Sequence, residues 1–520
     1  MTLAVGDGPV DDTRSVVDRV AFARQLVVNA AGTWWPAAVQ FLVVPLYVSL
    51  LGVESYGLVA LYTTLLTVAK VFDLGIGYTI NRELARAPSH RWAMPGAQNP
   101  ATLISTLEVA YWGIGLMLTA SLWFGAAIAS GWIHSAALNA VDVTRIIRLM
   151  ALAFAVTWPV AFYQNALLGL GLTTRANLAA VAASTLAAAC SSLALVYITR
   201  DLSLFFLCQI GVGVVHLAVL RTMLYASRRK AAVRTTMFDI DVLRSLWRTT
   251  AGTGTLVVIG ILLSQIDRVI VSRLLTLESF GYYMLGATIA SGIAVVSAPI
   301  FNATYPRLSR AAGISAAAVD AEYDRAFRTS AGLVVPIGLT ASLMPTDMLR
   351  LWTGDAAIAT AAGPTTTALV LGAMAIALSL TPTALQLARR DTRALSRIGA
   401  VFVLLMAITV ATLGAWFGAL GAAAAWSALA WGYLLAAIFV THRLGGVIRS
   451  TRALSLHLAA TCVAGSLIVA SVMLVLPDAT TRVGSALRLG VAGTAALVGV
   501  FLMHNASAQK LALHTRVPTT

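Results

Sequence analysis

Leu50-Leu51-Gly52-Val53-Glu54-Ser55-Tyr56-Gly57 returns later in the chain as Leu274-Leu275-Thr276-Leu277-Glu278-Ser279-Phe280-Gly281, at an offset of 224 residues (274 minus 50). The same offset carries Leu84-Ala85-Arg86-Ala87 onto Leu308-Ser309-Arg310-Ala311. Each copy places a tight polar turn between two apolar stretches and ends on an arginine. A helix of about 20 apolar residues crosses the hydrocarbon layer of a bilayer. The repeat therefore predicts a membrane protein built from two similar halves, an arrangement typical of transporters.

The composition excludes an ordinary soluble globular protein. The 520 residues are 59% hydrophobic and 11% charged, and the mean hydropathy is +0.83. Apolar runs of spanning length predict an all-α polytopic membrane protein with about fourteen transmembrane helices. The runs lie at 26–50, 57–80, 101–130, 146–171, 175–199, 202–226, 250–275, 280–305, 328–350, 361–388, 395–418, 420–442, 456–476 and 483–504.

The repeat divides these spans into two parallel six-helix halves and a C-terminal helix pair without a counterpart. Because six is even, each half begins and ends on the same side of the membrane, so the halves are related by an axis along the membrane normal. The predicted domains are a cytoplasmic tail (1–25), a first lobe (26–226), a basic cytoplasmic linker (227–249), a second lobe (250–442) and the C-terminal pair with its tail (443–520).

The net charge of +15 is explained by membrane topology. Most of the 36 Lys and Arg residues fall in segments on one side of the predicted membrane, which the positive-inside rule assigns to the cytoplasm, together with both chain termini. The basic linker fits anionic lipid headgroups better than nucleic acid. The polar first 25 residues predict no cleavable signal peptide. No nucleotide-phosphate loop, metal cluster or nucleophile–base signature is found, so we expect no cofactor, no metal and no enzyme activity.

Polar and ionisable groups inside spans are costly and usually face a cavity or a partner. The candidates are Lys70 and Asp73 in the second span, Asp267 and Arg268 in the seventh, Glu108 in the third, Asn29 and Gln40 in the first, and Asn302 in the eighth. Polar stripes on neighbouring helices suggest a hydrated cavity. Structural alternatives stay open: Lys70 and Asp73 could neutralise one another as i,i+3 neighbours, Arg268 could reach outward to the interface, and Glu108 could serve packing.

Two stretches of the chain resemble a known family. Pro45 to Gly57, followed by Phe72-Asp73-Leu74-Gly75-Ile76-Gly77 and Arg82, resembles the opening of bacterial polysaccharide transporters of the O-antigen flippase type. The second half is similar to the matching region there in Gln265-Ile266-Asp267-Arg268, Phe280-Gly281-Tyr282-Tyr283 and Tyr305-Pro306-Arg307-Leu308-Ser309. The likeness covers about residues 25–90 and 245–312.

This resemblance implies the fold of the multidrug/oligosaccharidyl-lipid/polysaccharide exporter superfamily and a bacterial inner membrane. The implied substrate is an undecaprenyl-diphosphate-linked oligosaccharide, moved to the periplasmic leaflet for O-antigen or exopolysaccharide synthesis beside a polymerase and chain-length machinery. Many such flippases have twelve spans, whereas the peptidoglycan-precursor flippases have fourteen, so lipid II stays open as substrate. A drug or metabolite antiporter is a further alternative. A membrane polymerase or ligase fits less well, because such enzymes commonly use a large periplasmic loop.

A sugar-diphosphate head loses its water in hydrocarbon without replacement, so it needs a hydrated, cationic path. We expect Lys70 and Arg268 to bind the diphosphate in a cavity that Asn29, Gln40 and Asn302 help to line. We expect Asp73, Asp267 and Glu108 to tune that charge or to respond to a coupling proton or sodium ion. Arg82 and Arg307 either gather the headgroup at the cytoplasmic mouth or anchor the topology. Rocking of the two lobes then gives alternating access.

Overall fold

The computed structural model describes residues 12–73, 75–87, 99–136, 138–228, 238–389, 393–445 and 451–514, and every extended regular element in them is helical. Only the backbone is described for 12–31, 33, 228, 241–243, 245–257, 443–445, 451–455 and 504–514. The helices are α1 (Asp12–Ala69, continued by a 3-10 turn, Lys70–Asp73), α2 (Ile76–Arg86), α3 (Pro100–Ser130), α4 (Ala140–Gly169), α5 (Thr173–Tyr197), α6 (Leu202–Arg228), α7 (Ile240–Leu274), α8 (Leu277–Ala312), α9 (Ala316–Leu343), α10 (Pro345–Thr353), α11 (Ala356–Ala388), α12 (Arg393–Gly445), α13 (Thr451–Val475) and α14 (Arg482–His514).

The expected all-α polytopic fold is confirmed. Eleven helical stretches of the described chain are long and apolar enough to cross a membrane, as expected where backbone polar groups must bond internally. Two of these stretches, within α1 and α12, bend at Gly52 and Gly418, whose φ angles of 81° and 63° suit glycine. Each bend separates two predicted spans. With the 35 residues of α7, these helices account for the fourteen predicted spans.

The bend in α12 is a tight hairpin, as the Gly418–Gly421 turn predicts. A Cβ on Gly414 would lie 3.4 Å from the Cβ of Ala422, and a Cβ on Gly421 would clash with the carbonyl of Leu413. Residues eight apart in a straight helix are separated by about 12 Å along its axis. The two arms of α12 therefore run back along each other.

The ninth span differs from its expected limits of 328–350. The structure begins α9 at Ala316, ends it at Leu343 and starts the short helix α10 at Pro345. Proline has no backbone N–H and blocks continuation of a helix, but it fits the first turn of a new one. The chain therefore turns at this proline, where the hydrophobic pattern alone suggests one continuous span.

The described chain forms two compact units. The first unit contains Met1–Val44, Asp73–Ala126 and Thr144–Ala251; the second contains Pro45–Phe72, Ala127–Val143 and Gly252–Thr520. Two segments of the first sequence half, 45–72 and 127–143, thus cluster with residues of the second half.

An aromatic stack between α3 and α4 forms part of the core of the first unit. The rings of Tyr111 and Trp158 stack with centroids 4.9 Å apart, and Phe154 packs 5.5 Å from Trp158. The indole Nε1 of Trp158 donates to the carbonyl of Tyr111 at 3.1 Å. This bond satisfies the polar edge of a buried tryptophan and fixes the two helices against each other.

Small residues allow close helix packing in the second unit. Gly286 of α8 lies against Thr366 of α11, and Gly372 of α11 lies against Trp426 of α12. The Nε1 of Trp426 donates to the carbonyl of Leu263 in α7 at 3.1 Å. Small residues are typical of helix interfaces in membranes, where close backbone approach replaces the hydrophobic driving force.

The C-terminal helices α13 and α14 pack against α9 and α10 on one face. Met344, Val469, Ala492 and Ala496 form a buried apolar cluster there. Beside it, a nitrogen of Arg488 lies 2.8 Å from an oxygen of Asp347, with side chains only 7% and 5% exposed. The pair predicted as an appendage is therefore joined to the second half by a buried ion pair.

Candidate functional site

A polar cluster lies where α7 and α8 meet the part of α1 that follows the bend at Gly52, all within the second unit. We call it the Arg268 cluster. Its members are Tyr56, Gln265, Asp267, Arg268, Tyr283 and Thr288. Arg268 is six residues from the end of α7 at Leu274, or about 9 Å along the helix axis at 1.5 Å per residue. Arg268 therefore lies inside α7 and not at its end.

Asp267 is held by a tyrosine from the neighbouring helix. The hydroxyl of Tyr283 donates to Oδ2 of Asp267 at 2.6 Å, and the carboxyl group is 2% exposed. Its other oxygen, Oδ1, has no hydrogen-bond partner among the described residues. A buried carboxylate with an unused oxygen is costly unless a neighbouring charge compensates it. Arg268, the next residue, supplies that charge, since its guanidinium acts electrostatically on Asp267.

Arg268 retains hydrogen-bonding capacity. Its Nη1 lies 3.4 Å from Oε1 of Gln265, which is a long contact, and its Nε has no partner among the described residues. A guanidinium carries five N–H donors in a planar fork. This half-buried arginine can therefore accept an anion without first breaking a strong ion pair to a distant residue.

Tyr56 brings the first repeat into the same cluster. Its hydroxyl lies 3.3 Å from Oγ1 of Thr288 in α8, and the charge of Arg268 acts on that hydroxyl. Tyr56 belongs to the first repeat turn, whereas Arg268 and Thr288 belong to the second half of the sequence. The cluster thus joins groups from both repeats.

A second buried carboxylate, Glu108, ties three helices of the first unit together. Its two oxygens accept from the hydroxyls of Tyr163 in α4 at 2.5 Å and Tyr225 in α6 at 2.6 Å. Arg221 of α6 lies 3.5 Å from the same carboxylate. Both oxygens are therefore engaged, which favours the structural alternative for Glu108.

Asp73 and Lys70 differ in their surroundings. Asp73 accepts from the backbone N–H of Gly77 at 3.2 Å, at the start of α2, and hydrogen-bonds to the hydroxyl of Tyr111. The side chain of Lys70 is exposed. Among the contacts that the structure describes, none joins Lys70 to Arg268. Of the two expected cations, only Arg268 is built into a polar cluster.

The remaining predicted residues have surroundings of their own. Gln40 and Asn302 are exposed on α1 and α8, and the side chain of Asn29 lies outside the described residues. Arg82 pairs with its neighbour Glu83 at 2.9 Å, and Arg307 lies 3.8 Å from Glu322 of α9. In the described part of the chain, no three His, Cys, Asp or Glu side chains are grouped so that they could hold a metal ion.

Sequence reasoning missed four members of the cluster, Tyr56, Gln265, Tyr283 and Thr288. A usable signal exists for Tyr283: residues 267 and 283 are equally far from residue 275, where the α7–α8 hairpin turns. The same relation holds for Glu108 and Tyr163 about the turn between α3 and α4. In an antiparallel hairpin, such pairs lie at the same depth, so each buried carboxylate could have been matched with its tyrosine.

Comparison with known families identifies the group to which these features belong. The model of a family described as polysaccharide biosynthesis protein matches residues 22–312, which are 291 of the 520 residues. The chain belongs to this polysaccharide biosynthesis family. The match includes both repeat turns and the Arg268 cluster. A search of curated proteins finds no match for the chain.

Solved structures extend the likeness beyond the family match. The lipid II flippase MurJ, in an inward closed conformation, has a TM-score of 0.71 at 14% identity, covering 93% of this chain and 100% of MurJ. An inward-facing multidrug resistance MATE transporter of the MOP superfamily has a TM-score of 0.63 at 14% identity, covering 82% of this chain and 96% of the MATE transporter. A MOP superfamily transporter from Pyrococcus furiosus has a TM-score of 0.56 at 15% identity, covering 83% of this chain and 96% of that transporter. This member of the polysaccharide biosynthesis family therefore has the MOP transporter fold.

Proposed function

We propose that the protein is a flippase that moves an undecaprenyl-diphosphate-linked oligosaccharide from the cytoplasmic to the periplasmic leaflet, for the synthesis of a surface polysaccharide such as O-antigen or exopolysaccharide. One observation carries this proposal: Arg268, inside a helix of a transporter fold, keeps its Nε–H donor unused beside groups from both repeats. Family membership supports the class of product, since the family is described by polysaccharide biosynthesis.

The chemistry of the substrate calls for such a group. A diphosphate carries negative charge and loses its hydration in hydrocarbon, and arginine binds phosphate oxygens through two parallel hydrogen bonds. The long contact from Arg268 to Gln265 is easily exchanged for a phosphate oxygen. The polyprenyl tail stays in the surrounding lipid while the head passes through the protein.

Asp267 tunes this binding group. Its carboxylate compensates the charge of Arg268, and Tyr283 holds it in place. The unused Oδ1 of Asp267 is also the place where a coupling proton or cation would act. We propose Lys70 as a second positive charge for the diphosphate, while the cavity lining by Asn29, Gln40 and Asn302 stays a prediction from the sequence. Asp73 and Glu108 remain candidates for charge tuning.

The proposed topology puts both termini and the basic linker in the cytoplasm of a bacterium and the repeat turns on the periplasmic side of its inner membrane. Arg82 and Arg307 then lie at the cytoplasmic mouth. Each already faces a glutamate, Glu83 or Glu322, so a diphosphate must displace that carboxylate to bind. A polysaccharide polymerase and chain-length machinery are the expected partners downstream.

A lipid II flippase is the second candidate. The observation that favours it is the full-length likeness to MurJ, which extends over 93% of this chain. Lipid II carries the same undecaprenyl diphosphate with a different sugar, so the Arg268 cluster serves both substrates. An antiporter for cationic drugs fits less well, because the positive charge of Arg268 repels such molecules and has a donor left for an anion.

The test is a flipping assay with purified protein in proteoliposomes that contain undecaprenyl-diphosphate oligosaccharide or lipid II. We expect Arg268→Ala to lower the rate at least tenfold and Arg268→Lys to restore part of it. Arg200→Ala, which removes an exposed arginine between α5 and α6, is the matched control. Wild-type rates for Arg268→Ala at equal abundance would refute the proposal. The faster substrate of the two decides between the candidates.

A further inference from the structure

A short segment between α3 and α4, residues 131–136, lies against the first repeat turn. The hydroxyl of Ser135 donates to Oε1 of Glu54 at 2.5 Å, and the backbone N–H of Ala136 donates to the same oxygen at 2.8 Å. Glu54 lies two residues after the bend at Gly52. One carboxylate of the first repeat turn therefore holds the segment through two charge-assisted hydrogen bonds.

The same segment also contacts the second repeat turn. The backbone N–H of Leu277 donates to the carbonyl of His134 at 2.7 Å, and His134 forms an isolated parallel β-bridge with Thr276. The guanidinium of Arg273 lies over the ring of Trp132, 5.6 Å from its centroid. The segment thus spans both copies of the repeat turn, and all of these residues lie within the second unit.

The two repeat turns also interlock with each other. A Cβ on Gly57 would lie 2.8 Å from the carbonyl oxygen of Leu277, and a Cβ on Gly281 would clash with the carbonyl of Val53. Positions 57 and 281 are equivalent in the repeat, and so are 53 and 277, since each pair differs by 224 residues. The contact is therefore reciprocal. It holds the two repeat turns against each other within the second unit.

The strengths of the bonds on the two sides differ. On the side of the first turn are two hydrogen bonds to a carboxylate, and the segment is covalently continuous with α3 and α4 of the same half. On the side of the second turn are one backbone hydrogen bond between neutral groups and one cation–π contact, both weaker than the charge-assisted hydrogen bonds to Glu54. If the turns separate, the segment stays with Glu54 and leaves Leu277 and Arg273.

We propose that residues 131–136 are a latch that holds the two repeat turns together, and that Glu54 is the positioning residue that keeps the latch in place. The head of a substrate bound at Arg268 leaves past the turns only after the His134–Leu277 and Trp132–Arg273 contacts break. This inference rests on the alternating access of the proposed function. It assigns to Glu54 a role in transport without contact to the substrate.

A reversible cross-link tests the latch. Strands joined by backbone hydrogen bonds lie about 4.8 Å apart, which is within the roughly 4.4–6.8 Å range of Cα separations in disulfides. The double variant His134→Cys/Thr276→Cys, in a chain with Cys190, Cys208 and Cys462 replaced by alanine, should therefore form a disulfide under a mild oxidant. The matched control is Gly414→Cys/Ala422→Cys, which joins the two arms of α12 within one half.

The readout is labelling of Ser291→Cys, an exposed position on α8 three residues beyond Thr288, by a membrane-impermeant maleimide added from the periplasmic side. Labelling is scored at residue 291 by peptide mapping after the reductant is removed, because the free thiols of the latch pair and the reductant also react with maleimide. We expect the latch disulfide to abolish labelling at residue 291 and its reduction to restore it, with no change for the control pair. Trp132→Ala should speed labelling about three- to tenfold. Glu54→Ala should do the same, and Glu54→Gln less, because an amide oxygen still accepts hydrogen bonds.

Equal labelling of the oxidised and reduced latch pair would overturn the inference, and so would failure of His134→Cys/Thr276→Cys to cross-link while the control pair does. The labelling needs no substrate, so it separates the two proposals. A latch-dependent labelling rate in a protein that flips neither lipid-linked substrate would sustain the latch and reject the proposed function. The same variants are then assayed for flipping, where the locked protein should be inactive until reduced.

Discussion

Asp267 and Tyr283 face each other across the α7–α8 hairpin, with the tyrosine hydroxyl 2.6 Å from Oδ2 of the carboxylate. The bond holds the carboxylate in place through Oδ2. Its other oxygen, Oδ1, stays beside Arg268 with no hydrogen-bond partner among the described residues. It fixes both helices at the depth where an anion is expected to bind. Because a change of Tyr283 to phenylalanine removes a hydroxyl and no charge, it measures how much this bond stabilises the cluster without altering the charges of Asp267 and Arg268.

Replacing Tyr283 by phenylalanine should remove the hydroxyl that donates to Oδ2 of the buried Asp267 carboxylate. An unsatisfied buried acceptor costs about 1–3 kcal/mol, so we expect a lower temperature of thermal unfolding for the purified protein. Tyr282→Phe is the control, because its hydroxyl donates to Glu278 at an exposed site and its loss should have little effect. Equal melting of the two variants would show that the Asp267–Tyr283 bond does not stabilise the fold.

Glu108→Gln distinguishes structure from ion coupling at that position. Because Glu108 accepts from Tyr163 and Tyr225, an amide nitrogen in place of one oxygen loses one of these bonds, and we expect a destabilisation of about 1–3 kcal/mol. The flipping rate per folded molecule should stay near wild type. Normal thermal stability with lost transport would instead assign ion coupling to Glu108.

The buried ion pair Asp347–Arg488 should be sensitive to removal of one partner. Arg488→Met leaves the buried carboxylate of Asp347 uncompensated, which costs about 3–5 kcal/mol. The double variant Asp347→Leu/Arg488→Met should recover much of this loss, because an apolar pair has no charge to bury. Thermal unfolding of the two single variants and the double variant gives the coupling. Additive effects would mean that the two side chains do not stabilise each other.

Gly281→Ala should open the interlocked repeat turns, because its methyl group clashes with the carbonyl of Val53. We expect faster maleimide labelling of Ser291→Cys from the periplasmic side, by about three- to tenfold. Gly292→Ala is the matched control on the same helix, since a Cβ there meets nothing within 4 Å. In the helix interior alanine is favoured over glycine by up to about 1 kcal/mol. Identical labelling of both variants would argue against closure at Gly281.

The fold was largely predictable because its signals are local. Apolar runs of spanning length identify the helices, and the repeat places equivalent turns at 50–57 and 274–281. Gly418 and Gly421 mark the hairpin in α12, since a sharp reversal needs a residue that tolerates positive φ. The break between α9 and α10 was missed because hydropathy continues through it, while the proline that causes it acts on the backbone.

The site was less predictable because its contacts join distant residues. Arg268 and Asp267 were identified from the cost of charge inside a span, and the structure places both in one cluster. The bond from Ser135 to Glu54 joins residues 81 positions apart. Neither residue is unusual in its local sequence, so only the tertiary fold reveals the latch. The exposed Lys70 shows the opposite case, since a charge inside a predicted span was not built into the polar cluster.

The Asp347–Arg488 pair also limits how this chain can change in length. A twelve-helix version that ended near residue 450 would lose Arg488. The buried carboxylate of Asp347 would then have no positive charge beside it. Such a shortening succeeds only together with a neutral residue at 347. The last two helices therefore cannot be lost in one step without destabilising the second half, to which the ion pair joins them.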